Sequence, residues 1–425
     1  EKLRMSQLKS IKSLAARNSS VDISSLLSKR RLEEFKIQSD FLSFDYSKQR
    51  ITSEVLQELL IIPEEMELKK KIRLLMEGGN LNYTEDRSVT HTLYRKLDKH
   101  GKSEEIKKIN LQILKLKEFI NNKNSKNNYE NIIAISIGGS RLGPELISEA
   151  FKKINSQLKV YFCSSFDLYE LEDILALCDA KKTLIIITSK SFETKEVLKN
   201  AFRAKEWLKS GNNDNYQNNL LGVSANLKGM TNFGIKESNQ FQILDSIGGR
   251  YSIWSSVSLP AILNIGWSQF EQFKEGAALA DEHFLNNSWN TNIPVLMALF
   301  SLWNLNGLEI NNLGIFTYHF KIRSLTKYLA QMAMESNGKT VDVENLNTPF
   351  ITCPLVWGGY GPESQHSVFQ WLLQGVGNSA CDFIGVKENN SILTEPYNML
   401  LAVSYTHLRA HETVLDLVCR LLLEK

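Results

Sequence analysis

The chain has 425 residues, with 50 basic and 47 acidic side chains, a formal charge of +3, 43% hydrophobic and 23% charged content; this excludes a disordered or fibrous chain and demands no nucleic-acid or membrane surface. That length exceeds one ordinary core and predicts two or three packed units. Five scattered cysteines, Cys163, Cys178, Cys353, Cys381 and Cys419, contain no C-x-x-C pair, which argues against a disulfide framework or zinc site and for a reducing, cytoplasmic setting. No apolar run reaches the roughly 18 residues of a membrane span. Glu1-Lys2-Leu3-Arg4-Met5 is not a signal peptide, and a start other than Met is expected of a fragment.

Residues 1–120 show helical spacing, as in Val55-Leu56-Glu58-Leu59-Leu60 and Leu74-Leu75-Met76, and few strand signals. They predict a helical N-terminal segment packing on the first domain. Asn121 to Asn128 has no apolar face and reads as a surface loop. From there the texture changes to short apolar runs ending in Gly or Ser, Ile132–Ile137 and then Leu184–Thr188, each followed by a helical pattern. This predicts an α/β domain over 121–285 around a buried parallel sheet. A second, smaller α/β domain is expected over 286–402, with strands at Leu313–Thr317, Pro354–Trp357 and Asp382–Val386, and the break falls at 275–292. No fixed-period repeat is present. The fold class read from this order is α/β, with two units built on mainly parallel sheets.

Two strand ends suit an anion. Gly138-Gly139-Ser140 follows the first strand and precedes Leu142-Gly143-Pro144, where Pro144 suits the first turn of a helix. A tight strand-to-helix turn accounts for these glycines as well as ligand approach does. Thr188-Ser189-Lys190-Ser191-Phe192-Glu193-Thr194 closes the next strand and opens a helical run at Val197-Leu198. Its hydroxyls, ammonium and helix N-terminus suit a phosphate dianion, although an N-cap with a hydroxyl-rich first turn has the same composition. Ligands of open parallel sheets collect at that edge.

Several separated segments resemble the glucose-6-phosphate isomerase family in order, over roughly residues 40–402. They are Asn82-Tyr83-Thr84-Glu85-Asp86-Arg87 with His91, Gly138-Gly139-Ser140, Ser189–Thr194, Gly248-Gly249-Arg250-Tyr251-Ser252, Gln331 with Met334-Glu335-Ser336-Asn337-Gly338-Lys339, and Trp357-Gly358 with Gln365-His366. The resemblance implies two doubly wound sugar-isomerase domains, a sugar phosphate substrate and a homodimer with a shared active site; no cofactor and no metal are expected. It makes Ser189, Lys190, Ser191 and Thr194 the phosphate ligands, sets Gly139 and Ser140 close to the sugar, and places Gly249 and Arg250 beside the reacting carbons. The chain departs from the family's usual Gly at Ser136 and Asp86, its Asp at Arg141 and its Thr at Glu193, and the loop Trp357–Ser364 also differs.

Moving a carbonyl between C1 and C2 requires a base that takes a proton from one carbon and returns it to the other through an enediolate; Glu335, which by itself reads equally as a solvated surface residue of a helix, fits in its motif and the family context. Gln331, four residues earlier, shares its helix face and can orient it. Arg250 offers a fixed guanidinium to the oxygens that gain charge, with a structural ion pair as its other reading. His366 is expected, from the family, to shuttle a proton during ring opening. His91, His100, His283 and His319 are read as buried or supporting. His407 and His411 are four apart, yet no third ligand is evident. A sugar-phosphate-binding regulator would share the phosphate loop but has no need of Glu335, Arg250 and His366 together. A nicotinamide dehydrogenase lacks its dinucleotide fingerprint here. Residues 403–425 are expected to be unlike the family, joined to a truncated second domain that lacks the glutamine and lysine supplied further on in family members. Leu415–Lys425 has a helical apolar pattern too short to cover that domain, so exposed apolar surface and weak activity are expected.

Overall fold

The computed structural model describes residues 11–13, 15–16, 23–40, 42–96, 103–126, 129–152, 156–342, 344–375, 377–387 and 417–424. His100, His407 and His411 lie outside them. The strands, in chain order, are β1 (Lys36–Gln38), β2 (Leu42–Asp45), β3 (Asn80–Asn82), β4 (Arg87–Ser88), β5 (Asn131–Ile135), β6 (Lys159–Cys163), β7 (Thr183–Thr188), β8 (Leu220–Ser224), β9 (Gln240–Gln242), β10 (Asn312–Thr317), β11 (Leu355–Tyr360), β12 (Ala380–Lys387) and β13 (Leu417–Glu424). Two compact units form, residues 74–278 and residues 1–73 with 279–425.

In the 74–278 unit, five parallel strands stand in the order β6-β5-β7-β8-β9. Every residue of β5 and β7 is buried, which is why both read as unbroken apolar runs rather than alternating ones. Ile133, Ile135, Ile185 and Ile187 form one core with Leu171, Ala201, Ala204 and Leu208. The chain leaves β5 toward β6 and then crosses back to β7, so β5 and β7 are neighbours whose following connections diverge. That is the switch point of a doubly wound sheet, where a crevice opens at the carboxyl ends.

Two local expectations for this unit are corrected. The helix Glu104–Lys126 runs through most of the expected Asn121–Asn128 loop. Ile109, Ile113, Leu116 and Ile120 anchor its inward stripe, and polar turns can continue a helix whose earlier turns are packed. Pro144 is not in a first turn, because the helix starts at Gly139 and runs to Ala150. The N–H groups of Arg141 and Leu142 already bond the Gly138 carbonyl at 3.0 and 2.9 Å, so the proline falls in the second turn, where it withholds the N–H due to Ser140.

In the other unit the sheet order is β1-β2-β13-β12-β10-β11. β10 pairs in parallel with β11 and β12, and β12 with β13, while β2 is antiparallel to both β1 and β13. The lead-in therefore contributes strands as well as helices. Phe44 of β2 is buried and stacks on Phe300 at 6.3 Å, and Gln49 Nε2 donates to Asn304 Oδ1 at 2.7 Å. These partners lie on helix Ile293–Asn306, far away in sequence, and strands of three and four residues leave almost no periodic signal. Two further corrections concern the end of the chain. Residues 417–424 form a strand rather than a helix, and a short leucine-rich run suits a strand flanked on both sides as well as a helix. The Trp357–Ser364 loop is instead the end of β11, through Tyr360, and a short helix, Gly361–Gln365.

Candidate active site

The anion-compatible segments of the 74–278 unit meet at the carboxyl edge of its sheet. Gly138 has φ +59° and ψ −132°, backbone that costs a side-chain-bearing residue dearly. Gly139 packs so closely on the next segment that a Cβ there would lie 2.5 Å from the Arg250 nitrogen and 2.6 Å from the Gly249 carbonyl carbon. Gly139, Ser140, Gly249 and Arg250 are thus brought together, the last two opening a 3₁₀ turn over Gly249–Trp254.

The Ser189–Thr194 turn follows β7 and leads into helix Lys195–Asn212. Ser189 is buried, its Oγ accepts from Phe192 N at 3.2 Å, and it lies 3.1 Å from Thr194 Oγ1. Phe192 has φ +54°, a strained conformation for a bulky residue that bends the chain tightly around the hydroxyls. Thr194 accepts the first helical bond, from Leu198 N at 2.9 Å, leaving the preceding N–H groups at the helix start for a ligand. Ser191 is exposed and its Oγ accepts from Glu193 N at 3.2 Å.

Lys190 has a role that its sequence did not disclose. Its ammonium donates to the carbonyls of Asp245 at 2.8 Å and Ile247 at 3.2 Å, tying the Ser189–Thr194 turn to the residues that lead into Gly249–Arg250. Two of its three N–H bonds are used in this way. Asn226 Nδ2 and Ser224 Oγ also hold the turn, donating to the Ser191 and Lys190 carbonyls at 3.0 Å each. Such partners are backbone atoms, which carry no sequence signal. His91 is buried, stacks on Tyr251 with centroids 4.9 Å apart, and is pushed down to about 4 by burial and then by Arg95. It supports the arginine-bearing turn as a neutral ring.

The departures fall into place separately. Asp86 takes φ +48°, a left-handed conformation that Asp tolerates better than most residues, and it accepts from Asn80 Nδ2 at 2.6 Å. Ser136 is buried, and its Oγ has no partner among the described residues. Arg141 turns onto Glu145 at 3.1 Å and Glu170 at 3.6 Å. Glu193 is exposed.

In the other unit, helix Leu325–Asn337 lays Leu325, Leu329, Ala330, Ala333 and Met334 against Ile315, Val356 and Ile384 of the sheet. Gln331 and Glu335 lie one position round the helix from Ala330 and Met334, and Gln331 Nε2 donates to Glu335 Oε2 at 2.9 Å. The spacing read from the sequence is thus a hydrogen bond that orients the carboxylate. Lys339 Nζ caps the same turn through the Glu335 carbonyl at 2.9 Å. His366 is exposed and ends the helix Gly361–Gln365, a separate element. Its neighbour Gln365 donates to the hydroxyl of Tyr318 at 3.1 Å; Tyr318 is buried, and burial pushes it up to about 12. Among the described residues no group of three or more His, Cys, Asp or Glu could hold a metal ion, and no helix is long and apolar enough to cross a membrane.

Comparison with known proteins places this arrangement. Residues 45–411 match the phosphoglucose isomerase family, past residue 402, where the resemblance was expected to stop. The chain is 37% identical over 397 residues to a glucose-6-phosphate isomerase of Acinetobacter baumannii, spanning 89% of this chain and 71% of that protein. It is 36% identical over 373 residues to one of Hydrogenovibrio crunogenus, spanning 85% and 69%. A crystal structure of a glucose-6-phosphate isomerase from Chlamydia trachomatis superposes with a TM-score of 0.88 at 25% identity, covering 98% of this chain and 86% of the other. With a match of this extent to one family, and relatives bearing its name at this identity, the chain belongs to the phosphoglucose isomerase family.

Proposed function

We infer that the chain is a glucose-6-phosphate isomerase, an aldose–ketose isomerase that interconverts glucose 6-phosphate and fructose 6-phosphate without a redox cofactor. The observation that carries this reading is the Ser189–Thr194 turn at the β5/β7 switch point, with paired hydroxyls, free helix N–H groups and a strained bend fitted to a dianion. Ser189, Lys190, Ser191 and Thr194 hold the phosphate, and Gly139 and Ser140 border the sugar. Glu335, oriented by Gln331, moves the proton between C1 and C2. Arg250 stabilises the enediolate oxygens as charge builds on them. His366 exchanges a proton with the ring oxygen on opening.

The enzyme acts in the cytoplasm, in keeping with free thiols at Cys163, Cys178, Cys353 and Cys381. It works as a homodimer in which His366 serves the partner's site, so mixing inactive Glu335→Gln and His366→Ala chains restores activity through hybrid dimers. The test of the function is a coupled assay, following glucose 6-phosphate formed from fructose 6-phosphate. Saturable turnover supports it; tight binding of the sugar phosphate without turnover assigns the chain to a binding protein instead.

A further inference from the structure

Arg141 directly follows Ser140 in the first turn of helix Gly139–Ala150, where a cation opposes the helix dipole. Its guanidinium is nevertheless held on three sides. It meets Glu145 Oε2 at 3.1 Å, Glu170 Oε1 at 3.6 Å and the Ser164 hydroxyl. The other oxygen of Glu170 accepts the N–H groups of Ser164 and Ser165 at 2.7 and 2.8 Å. The Ser165 carbonyl in turn accepts from Asn200 Nδ2 at 2.8 Å, and Asn200 lies on helix Lys195–Asn212, which begins at the phosphate turn. One continuous path of polar contacts therefore joins the Gly139–Ser140 turn, the corner after β6 and the phosphate-turn helix. Side-chain exposures of 24%, 25% and 31% for Arg141, Glu145 and Glu170 leave these charges partly shielded, so the pairing exceeds that of an open surface ion pair.

The geometry points to Arg141 and Glu170 as a positioning clamp that fixes the spacing between the sugar-facing turn at Gly139–Ser140 and the phosphate turn at Ser189–Thr194. The clamp rests on the reading of that sheet edge as the sugar-phosphate site. Neither residue touches the reacting carbons, so the clamp sets how well substrate is held and leaves the proton transfer to Glu335.

The test compares Arg141→Ala, Glu170→Gln and the double variant in the full chain, with fructose 6-phosphate as the varied substrate. Glu170→Gln keeps an oxygen for the two N–H groups and turns an uncharged NH2 donor toward Arg141 in place of the carboxylate oxygen, so it breaks the Arg141 link while the corner stays held. Each single variant is expected to raise KM about tenfold with kcat within about threefold, and the double variant to be no worse than either single one, because both break the same link. Arg141→Lys, which keeps the charge, recovers part of the loss. Unchanged KM with a lowered Tm makes the contacts merely structural and overturns the proposal, as do losses that add in the double variant. Ser189→Glu in the same assay separates the two levels. If it raises KM while the clamp variants do not, the phosphate site stands and the clamp falls; if it leaves KM unchanged, the site reading falls and the clamp with it.

Discussion

Replacing Gly139 by Ala tests the assembly of the candidate site through a single methyl group. The added Cβ would sit 2.5 Å from the Arg250 nitrogen and 2.6 Å from both the Arg250 Cα and the Gly249 carbonyl carbon, against the 3.4 Å at which ordinary contact begins. All three are backbone atoms, so no side-chain rotation relieves the clash. The Gly249–Arg250 turn must retreat by about 0.9 Å, and a displacement near 1 Å at a positioned catalytic group costs roughly 10²-fold in rate. Steady-state kinetics in the coupled assay should show kcat falling by about two orders of magnitude, with a smaller change in KM, since the three atoms nearest the added methyl group belong to Gly249 and Arg250 and none to the Ser189–Thr194 turn. Gly276→Ala is the control, because a Cβ there meets nothing within 4 Å and alanine favours the helix Trp267–Asn286 in which it lies. A Gly139→Ala enzyme with the kcat of the Gly276→Ala control would refute the placement of Arg250 against Gly139.

Ser189→Glu sets a carboxylate in the proposed phosphate turn and is expected to raise KM for fructose 6-phosphate far more than it lowers kcat, with weaker inhibition by inorganic phosphate in parallel. His91, at about 4 in the folded chain against about 6.5 unfolded, contributes stability that is full above pH 6.5 and lost as pH falls toward 4, to a limit of about 3 kcal/mol. His91→Phe keeps the ring on Tyr251, so its thermal midpoint should fall less than the wild type's between pH 7 and 4.5. Asp382 works in the opposite sense. Burial raises it to about 7 beside a cavity of about 40 Å³ lined by Phe300, Asn304 and Leu313, so the native state holds a proton that the unfolded chain releases near pH 4. Stability therefore falls as pH rises from 4 to 7, by on the order of 4 kcal/mol, and Asp382→Asn should be the more stable protein at pH 8.

What the sequence disclosed was what depends on local order. β5 and β7 were legible because a strand buried on both faces needs an unbroken apolar run, as in Ile132–Ile135 and Leu184–Ile187. The Gln331–Glu335 hydrogen bond was legible because the 3.6-residue period alone puts the two on one face. Features set by distant partners were not. β2 is a strand because Phe44 finds Phe300 more than 250 residues later, and Lys190 is a tether because two carbonyls about 55 residues on happen to face it. The polar end of helix Glu104–Lys126 and the leucine run of β13 show the other failure, in which composition fits two states and neighbours decide.

The most direct measurement of the central claim is deuterium incorporation from solvent at C1 of fructose 6-phosphate and C2 of glucose 6-phosphate, comparing the wild-type chain with Glu335→Gln. The amide keeps the shape and the neighbour Gln331 but cannot accept a carbon-bound proton, so exchange and turnover should fall by roughly 10³-fold or more while sugar-phosphate binding is retained. Exchange in Glu335→Gln at the wild-type rate would contradict the account and remove Glu335 from the proton transfer.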